Sequence, residues 1–387
     1  MIASNEKLLL ELIKVALGKS NECVLPNALD WNALFDLSMK QCVPALVLDG
    51  LSMCLKKEGT AQTDDVFGQK NKLCKFKWMG VVLQMEKQYA FHERVIADLA
   101  DFYEKAGFRM MLLKGYGLSK YWPEPKHRPV GDVDIYLLEK EGMKQDGNLP
   151  VWKKADAILQ DVLNIKPDNS HHHHSVFTYK GVMVENHYDF VNVNSHRSNR
   201  WIEKEFKSLS ASEHVVYAFK NGVEVFLPSD LLNVLFVARH NACHFAAEGM
   251  NLRQVLDWAL LVEKCGDEVD WQRFWTMCVK MGMERFVLCM TEICVERIGF
   301  SREIFRVPQC FADFSEKNGD LIEGVMEDIF HPYKPKSKKG LAYIMSRFDL
   351  WKKNLWKHNM VYSDGVISTF FVQLLSHLMK PATILGN

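Results

Sequence analysis

The sequence lacks the features that mark a membrane, secreted or bulk nucleic-acid-binding protein. It has no run of about eighteen apolar residues, so no transmembrane helix is predicted. Residues 1–18 include acidic side chains and no basic n-region, so we expect no signal peptide. Lys plus Arg number 48 and Asp plus Glu also number 48. This balance gives no clear footprint for nucleic acid or a membrane surface, apart from a basic stretch at 334–340. A cytoplasmic protein is favoured.

Several familiar binding motifs are also missing. The ten cysteines include no C-x-x-C pair, which predicts reduced, buried thiols in place of disulfides or a zinc knot. Gly115-Tyr116-Gly117 begins like a dinucleotide-binding fingerprint, but Lys120 stands where the third glycine is required. There is no G-x-x-x-x-G-K-[ST] phosphate loop. These absences exclude the two commonest glycine-rich nucleotide sites.

The helical and strand patterns divide the chain into three parts. Its 387 residues, of which 48% are hydrophobic, are enough for more than one sizeable core. Helical periodicity dominates residues 1–100, strands alternate with helices in 101–228, and helices return in 229–387. The sequence therefore predicts an α+β fold, with an α/β core between two helical regions.

The central part carries two hairpin patterns and two further strands. Lys180-Gly181 and Asn221-Gly222 each separate a pair of alternating apolar segments, as expected for β-hairpins. The predicted strands are "FRMMLLK", "VGDVDIYLL", "HHHHSVFTYK", "VMVENHYDF", "EHVVYAF" and "VEVFL". A helix is predicted for "VWKKADAILQDVL", and a short one for "GYGLSKYW".

Two carboxylates lie one residue apart inside an apolar strand pattern. Side chains of a strand alternate between faces, so Asp132 and Asp134 project from the same face, with Cα atoms roughly 6–7 Å apart. Such a pair repels itself unless a cation or a shared proton intervenes. Removing one charge is then expected to leave the metal-free fold unharmed. The simpler alternative is an edge strand whose polar face meets water.

A third acid favours a metal site. Glu185 shares a face with His187 and Asp189 in another predicted strand. If the two strands are neighbours, three carboxylates surround a site for two hard cations. Such a site suits phosphoryl or nucleotidyl transfer.

Residues 112–138, "LLKGYGLSKYWPEPKHRPVGDVDIYLL", resemble the KG…R…GD-x-D pattern of the uncharacterised nucleotidyltransferase family, within the DNA polymerase β-like superfamily. That superfamily places a G-[GS] turn before a D-x-[DE] strand, with a third acid on a later strand, which "VMVENHYDF" resembles. The resemblance extends roughly from Trp31 to Val262. The turn here reads Lys114-Gly115-Tyr116 in place of Gly-Gly or Gly-Ser, and the interval from it to Asp132 is long.

The resemblance implies a small mixed β-sheet nucleotidyltransferase core that moves an NMP from an NTP to an acceptor which the sequence does not name. Mg²⁺, or Mn²⁺, is the implied cofactor. It would be held by the acids, of which Glu185 could also help to deprotonate the acceptor. Gly115 would let backbone amides approach the triphosphate, and Lys114 and Arg128 would face its charge. The metal ligands implied are Asp132, Asp134 and Glu185.

Histidines provide further candidates. His240 and His244 lie four apart on a predicted helix and share a face, so with His187 they are candidates for the substrate cleft. Packing within the helical region is the alternative for the helical pair. His171–His174 is interpreted as a polar strand end, with two rings turned inward and two outward.

Two rival functions stay open. One is a non-catalytic nucleotide- or partner-binding protein on the same fold. The other is a phosphoester hydrolase that uses the same carboxylates.

Overall fold

A mixed sheet surrounded by helices forms the centre of the computed structural model, which confirms the predicted α+β class. The structure describes residues 4–21, 23–26, 29–57, 71–140, 149–212, 214–333, 349–369 and 372. The basic stretch at 334–340 lies outside these residues. Across the described parts of the chain, no helix combines the length and apolarity needed to cross a membrane.

Within the described residues, four helices precede the sheet. Asp30 caps the second, because its carboxylate accepts the Ala33 N–H at 3.0 Å, and Pro44 opens the third as predicted. The fourth is much longer than expected and ends before Gly107, which has φ +89°. They are α1 (Ser4–Ala16), α2 (Trp31–Lys40), α3 (Pro44–Lys57) and α4 (Lys72–Lys105).

The sheet has the strand order β3-β4-β2-β1-β6-β5. Strands β1 and β2, and both predicted hairpins, pair antiparallel, whereas β2–β4 and β1–β6 are parallel. Lys180, Gly181 and Gly222 have positive φ in the hairpin turns, as their sequence predicts. The strands are β1 (Phe108–Leu112), β2 (Val133–Glu139), β3 (His174–Tyr179), β4 (Val182–His187), β5 (His214–Ala218) and β6 (Glu224–Pro228).

The connections, as far as the structure describes them, contain three helices and one 3-10 turn. The short helix and the helix predicted between β2 and β3 are both present. They are α5 (Tyr116–Ser119), the 3-10 turn Pro125–His127, α6 (Val151–Leu163) and α7 (Asn199–Ser212).

The two faces of the sheet pack against different helices. Leu112, Ile135 and Val184 face one core with side chains of α4 and α6. Met111 and Tyr136 contact another core, which includes side chains of α7 and of the helix after β6. Because residues of a strand alternate between faces, Asp134 lies on the second face, together with Tyr136.

Further helices follow β6 in the described part of the chain. Ser229 precedes the first of these, as predicted. A capping box fixes the second, since the Asn251 and Gln254 side chains each accept the other's backbone N–H. The helices are α8 (Asp230–Ala247), α9 (Leu252–Cys265), α10 (Trp271–Met281), α11 (Glu284–Glu292), α12 (Phe314–Lys317), α13 (Gly319–Phe330) and α14 (Leu355–Val361). A π-helical turn, Ile293–Ile298, extends α11, and 3-10 turns lie at Gly266–Glu268, Arg302–Phe305 and Gln309–Phe311.

The N-terminal and C-terminal helices share one hydrophobic core. Gln41 connects them, because its amide donates to Ile329 O at 2.9 Å and accepts the Leu252 N–H at 2.9 Å. Helix α4 also continues across residue 100. The division into 1–100, 101–228 and 229–387 therefore stays a prediction. No disulfide joins the ten cysteines, which all lie in the described residues, and six of them are buried.

Candidate active site

A cleft of about 630 Å³ lies between the second face of the sheet and helices α8 and α9. This volume is within the usual range for a small-molecule site. Lys114, Gly115, Asp132, Asp134 and Glu185 line it on the sheet side. The cleft therefore contains all the predicted carboxylates and both residues of the Lys-Gly turn.

Asp134 is the centre of the polar network on the sheet side. It is only 3% exposed, and its Oδ1 lies 2.9 Å from Lys114 Nζ and 3.0 Å from His187 Nε2. The parallel register of β2 and β4 places Asp134 opposite Glu185 and Tyr136 opposite His187. Glu185 Oε2 lies 3.4 Å from the same His187 nitrogen. The sheet itself thus brings the second and third acids together.

The ionisation of this network follows from burial and pairing. Burial alone would raise the pKa of Asp134, but Lys114 and His187 outweigh it and hold that pKa well below its usual range. Burial likewise opposes the charged forms of Lys114 and His187. Their acidic neighbours nevertheless raise the pKa of each above its ordinary value. The site therefore favours an ionised carboxylate between two cationic groups.

Asp132 lies at the margin of this network. It precedes β2 by one residue, where the sequence pattern placed it inside the strand. Asp134, Glu185 and His187 each offer a ligand atom within 4.8 Å of the others, a group that does not include Asp132. Burial, followed by the charges of Asp134 and Glu185, raises the pKa of Asp132. Its carboxylate therefore has acidic neighbours and half-buried surroundings.

Gly115 is required by a close backbone approach. It has φ +55°, and a Cβ at this position would lie 3.3 Å from the carbonyl oxygen of Asp132. Leu113 N–H donates to Asp134 O at 3.1 Å and holds the end of β1 against β2. A side chain at residue 115 would crowd the carbonyl oxygen of Asp132, and the backbone conformation there favours glycine. The Lys-Gly order therefore sets Lys114 beside Asp134.

Arg128 lies in the cleft wall, but its guanidinium is engaged by the protein. It is 2% exposed, and its Nε and Nη2 donate to the two oxygens of Asp257 at 2.7 and 2.8 Å. Nη1 donates to Pro129 O at 3.0 Å. Trp122 Nε1 also donates to Asp257, at 2.8 Å. The predicted contact of Arg128 with phosphate therefore competes with a bidentate buried pair that fixes the loop before β2 to α9.

Comparison with known families agrees with this geometry. Residues 27–299 match the family described as uncharacterised nucleotidyltransferase, which is more than half of the chain. The chain belongs to this family. Searches of curated proteins and of solved structures find no match. The matched range includes every strand of the sheet and helices α8 to α10, and it supports a general role in nucleotidyl transfer.

The cleft has a cationic residue to which the sequence patterns assigned no role. Arg253 lies in the first turn of α9, 4.0 Å from Asp257 Oδ2, with a side chain 27% exposed. Burial, and then the nearby charge of Arg128, lower its pKa. A cation is disfavoured at a helix N-terminus. That position is the sequence signal that could have identified Arg253.

The helical wall of the cleft contains the predicted histidine pair. His240 and His244 both line the cleft from α8, with ring centroids 4.4 Å apart. His244 Nδ1 lies 3.3 Å from Glu248 Oε1. Burial and the charge of Lys114 hold the pKa of His240 well below its ordinary value. The pair shares a cleft with Asp134, and a contact with substrate stays a prediction.

The histidine tract meets the sheet differently from the expected alternation. Strand β3 begins only at His174, so the preceding residues do not alternate between faces. Consecutive rings, those of His173 and His174, both approach His187. The prediction of two inward and two outward rings is therefore wrong. Asp189 was also expected beside Glu185 and His187, but it lies beyond β4 and pairs with Lys207.

Proposed function

We propose that this protein is a metal-dependent nucleotidyltransferase that moves an NMP from an NTP to an acceptor. The observation that carries the proposal is the convergence of Asp134, Glu185 and His187 within 4.8 Å in a cleft that also contains Lys114 and Gly115. Carboxylates beside a cationic side chain and an open glycine turn suit a triphosphate with its counter-ion.

The donor set fits a hard divalent cation. Mg²⁺ and Mn²⁺ prefer oxygen ligands, which Asp132, Asp134 and Glu185 supply. The raised pKa of Asp132 reflects burial beside two other acids, a crowding of negative charge that a cation would relieve. When bound, such an ion polarises a phosphoryl oxygen and offsets charge on the pyrophosphate leaving group.

The protein's own cations would orient the triphosphate. Lys114 Nζ is held by Asp134 with its side chain 18% exposed, so it can bind a phosphate oxygen at the cleft surface. Gly115 would let the backbone of the turn come close to the phosphate, because glycine has no side chain of its own. Arg253 adds a second, partly exposed charge from the opposite wall. Arg128 would act as a positioning residue through its pair with Asp257.

The acceptor would enter beside Glu185. This carboxylate is less buried than Asp134, with a side chain 18% exposed, and can accept a proton from an acceptor hydroxyl. His240 and His244 would contact the acceptor or the NTP from α8. The cleft is also lined by polar side chains that can bind hydroxyl groups, among them Asn192, Ser195, His196 and Asn199.

A two-stage experiment tests the proposal. Calorimetry with Mg²⁺ and a non-hydrolysable NTP analogue measures binding, and a structure of that complex locates the phosphates. Pyrophosphate release is then measured with natural NTPs across small-molecule, RNA and protein acceptors, with Asp132→Asn as the inactive control. Binding without turnover across a broad acceptor screen would favour the non-catalytic alternative.

Phosphoester hydrolysis is a second candidate, favoured by the imidazole of His187 among the carboxylates. Mixed histidine and carboxylate ligands are suited to metal ions that activate water. The two reactions give different products from an NTP. Release of orthophosphate without pyrophosphate would favour hydrolysis over nucleotidyl transfer.

A further inference from the structure

Three histidine side chains come together beside the carboxylate site. His173, His174 and His187 each offer a ring nitrogen within 4.8 Å of the other two. We propose that they form a second cation site, selective for a borderline transition-metal ion such as Zn²⁺. This proposal concerns binding of the metal itself and goes beyond nucleotidyl transfer.

The backbone fixes these three residues, so the group differs from a flexible histidine tail. The antiparallel register of β3 and β4 places His174 directly opposite His187. The carbonyl oxygen of His173 accepts the N–H groups of Tyr188 at 3.0 Å and Asp189 at 3.2 Å. Sites on strands held in this way bind a metal with little loss of conformational entropy.

Two of the rings have polar atoms without a protein partner. In the described part of the chain, Nδ1 of His173 and Nδ1 of His174 are buried without a hydrogen bond. The side chain of His174 as a whole is also buried, with His174 only 7% exposed. A buried polar atom left unpaired is unfavourable by about 1–3 kcal/mol. A metal bound by these rings would fix their orientation and tautomers, so that the ring nitrogens gain a partner.

The donor chemistry selects the ion. Imidazole nitrogens favour Zn²⁺ and its transition-metal neighbours, whereas Mg²⁺ requires oxygen ligands. Three histidines with an open fourth position form a common arrangement at catalytic zinc ions. Glu185 is near enough to contribute, since its oxygens lie 3.7 Å from His174 Nε2 and 3.4 Å from His187 Nε2.

The two sites share His187, which connects them. Its Nε2 is hydrogen-bonded to Asp134. A metal that ligates this nitrogen at the histidine site would take the bond away from Asp134. Zn²⁺ would then alter the carboxylate site, where it would either assist or hinder the binding of another ion.

Equilibrium dialysis of the full chain with ZnCl₂, in excess MgCl₂, tests the site. We expect one tightly bound Zn²⁺ per chain that Mg²⁺ does not displace. The double substitution His173→Ala/His174→Ala should weaken Zn²⁺ binding by at least about 100-fold. Loss of a single residue that only hydrogen-bonds to a metal ligand already lowers metal affinity by about 10–100-fold. The matched control is His171→Ala/His172→Ala, which removes two histidines from the same tract and should retain Zn²⁺.

Equal loss in both double variants, or no Zn²⁺ binding by the natural chain, would overturn the proposal. Thermal melts in EDTA check folding, and His173→Gln is measured beside the double variant because it removes one ligand with less disturbance to β3. X-ray absorption of the zinc-loaded protein should show nitrogen ligands at about 2.0–2.1 Å. NTP binding with Mg²⁺ in the same preparations tests nucleotidyl transfer separately, so either proposal can fail alone.

Discussion

Lys114 Nζ and His187 Nε2 both approach one oxygen of Asp134, at 2.9 and 3.0 Å. Asp134 is therefore charge-compensated by the protein before any metal binds. This differs from the picture of two aspartates that only repel each other. Asp132 keeps acidic neighbours and a raised pKa, so the two carboxylates have different roles in the stability of the metal-free protein.

The first prediction follows from this difference. Asp134→Asn leaves the charges of Lys114 and His187 without their buried partner, and we expect it to lower the free energy of unfolding by about 3–5 kcal/mol. Asp132→Asn removes a charge from an acidic cluster and should be neutral or slightly stabilising. Urea unfolding in EDTA measures both. Equal effects of the two substitutions would contradict the assigned pairing.

Much of the fold is encoded locally, which is why the sequence predicted it. Alternating apolar residues identified β1 and β2, and the turn dipeptides Lys180-Gly181 and Asn221-Gly222 located both hairpins. Each signal lies within a few residues of the structure it determines.

Pairings between distant segments were not predictable in this way. Asp257 pairs with Arg128 across 129 residues, and no local periodicity specifies that partner. Arg253 reaches the cleft only because α9 packs beside the loop that precedes β2. His173 and His174 both approach His187 because β3 begins at His174, three residues later than the histidine run suggests.

The second prediction concerns the pair of Arg128 and Asp257. Replacing either residue by an apolar one leaves a buried charge unpaired, so Arg128→Met and Asp257→Leu should each lower stability by about 3–5 kcal/mol. The double substitution should be less harmful than the sum of the two, because neither charge then remains. A double-mutant cycle in urea measures this coupling. Strictly additive effects would show that the pair contributes little.

The third prediction tests Arg253 as a phosphate ligand. Charge-assisted hydrogen bonds contribute about 1.5–3 kcal/mol, so Arg253→Ala should weaken binding of a non-hydrolysable NTP by about 10–100-fold, most clearly at low salt. Arg273 is the matched control, since it also lies in the first turn of a helix and pairs with Glu205 outside the cleft. Calorimetry on both alanine variants gives the comparison. Equal affinities would remove Arg253 from the site.

The fourth prediction concerns the histidines of α8. His240 and His244 line the cleft opposite Asp134, so replacing both with Ala should raise the acceptor KM and leave Mg²⁺-NTP binding nearly intact. Steady-state kinetics with an acceptor found in the screen, together with NTP calorimetry, separate the two effects. A fall in thermal stability with unchanged KM would assign the pair to packing.

The last prediction is a pH dependence of stability that originates away from the cleft. His127 lies in the 3-10 turn before Arg128, with Nδ1 2.6 Å from Asp49 Oδ2 and Nε2 3.0 Å from Glu86 Oε1. It thereby connects that turn to α3 and α4. Burial lowers the pKa of His127, but the bonds to the two carboxylates outweigh it and raise the pKa above its ordinary value. The same contact lowers the pKa of Glu86, opposed by burial.

A histidine with a raised folded-state pKa stabilises the protein fully below its unfolded pKa of about 6.5. That stabilisation is lost as the pH rises through the folded-state value. Glu86 stays ionised in this range, since its stabilisation is lost only in acid. The free energy of unfolding of the natural protein should therefore exceed that of the His127→Gln variant. This difference should be largest at about pH 6 and should shrink progressively toward about pH 9. Urea unfolding of both proteins across this range measures the difference. A gap that stays constant or widens with rising pH would show that His127 is not charged between Asp49 and Glu86.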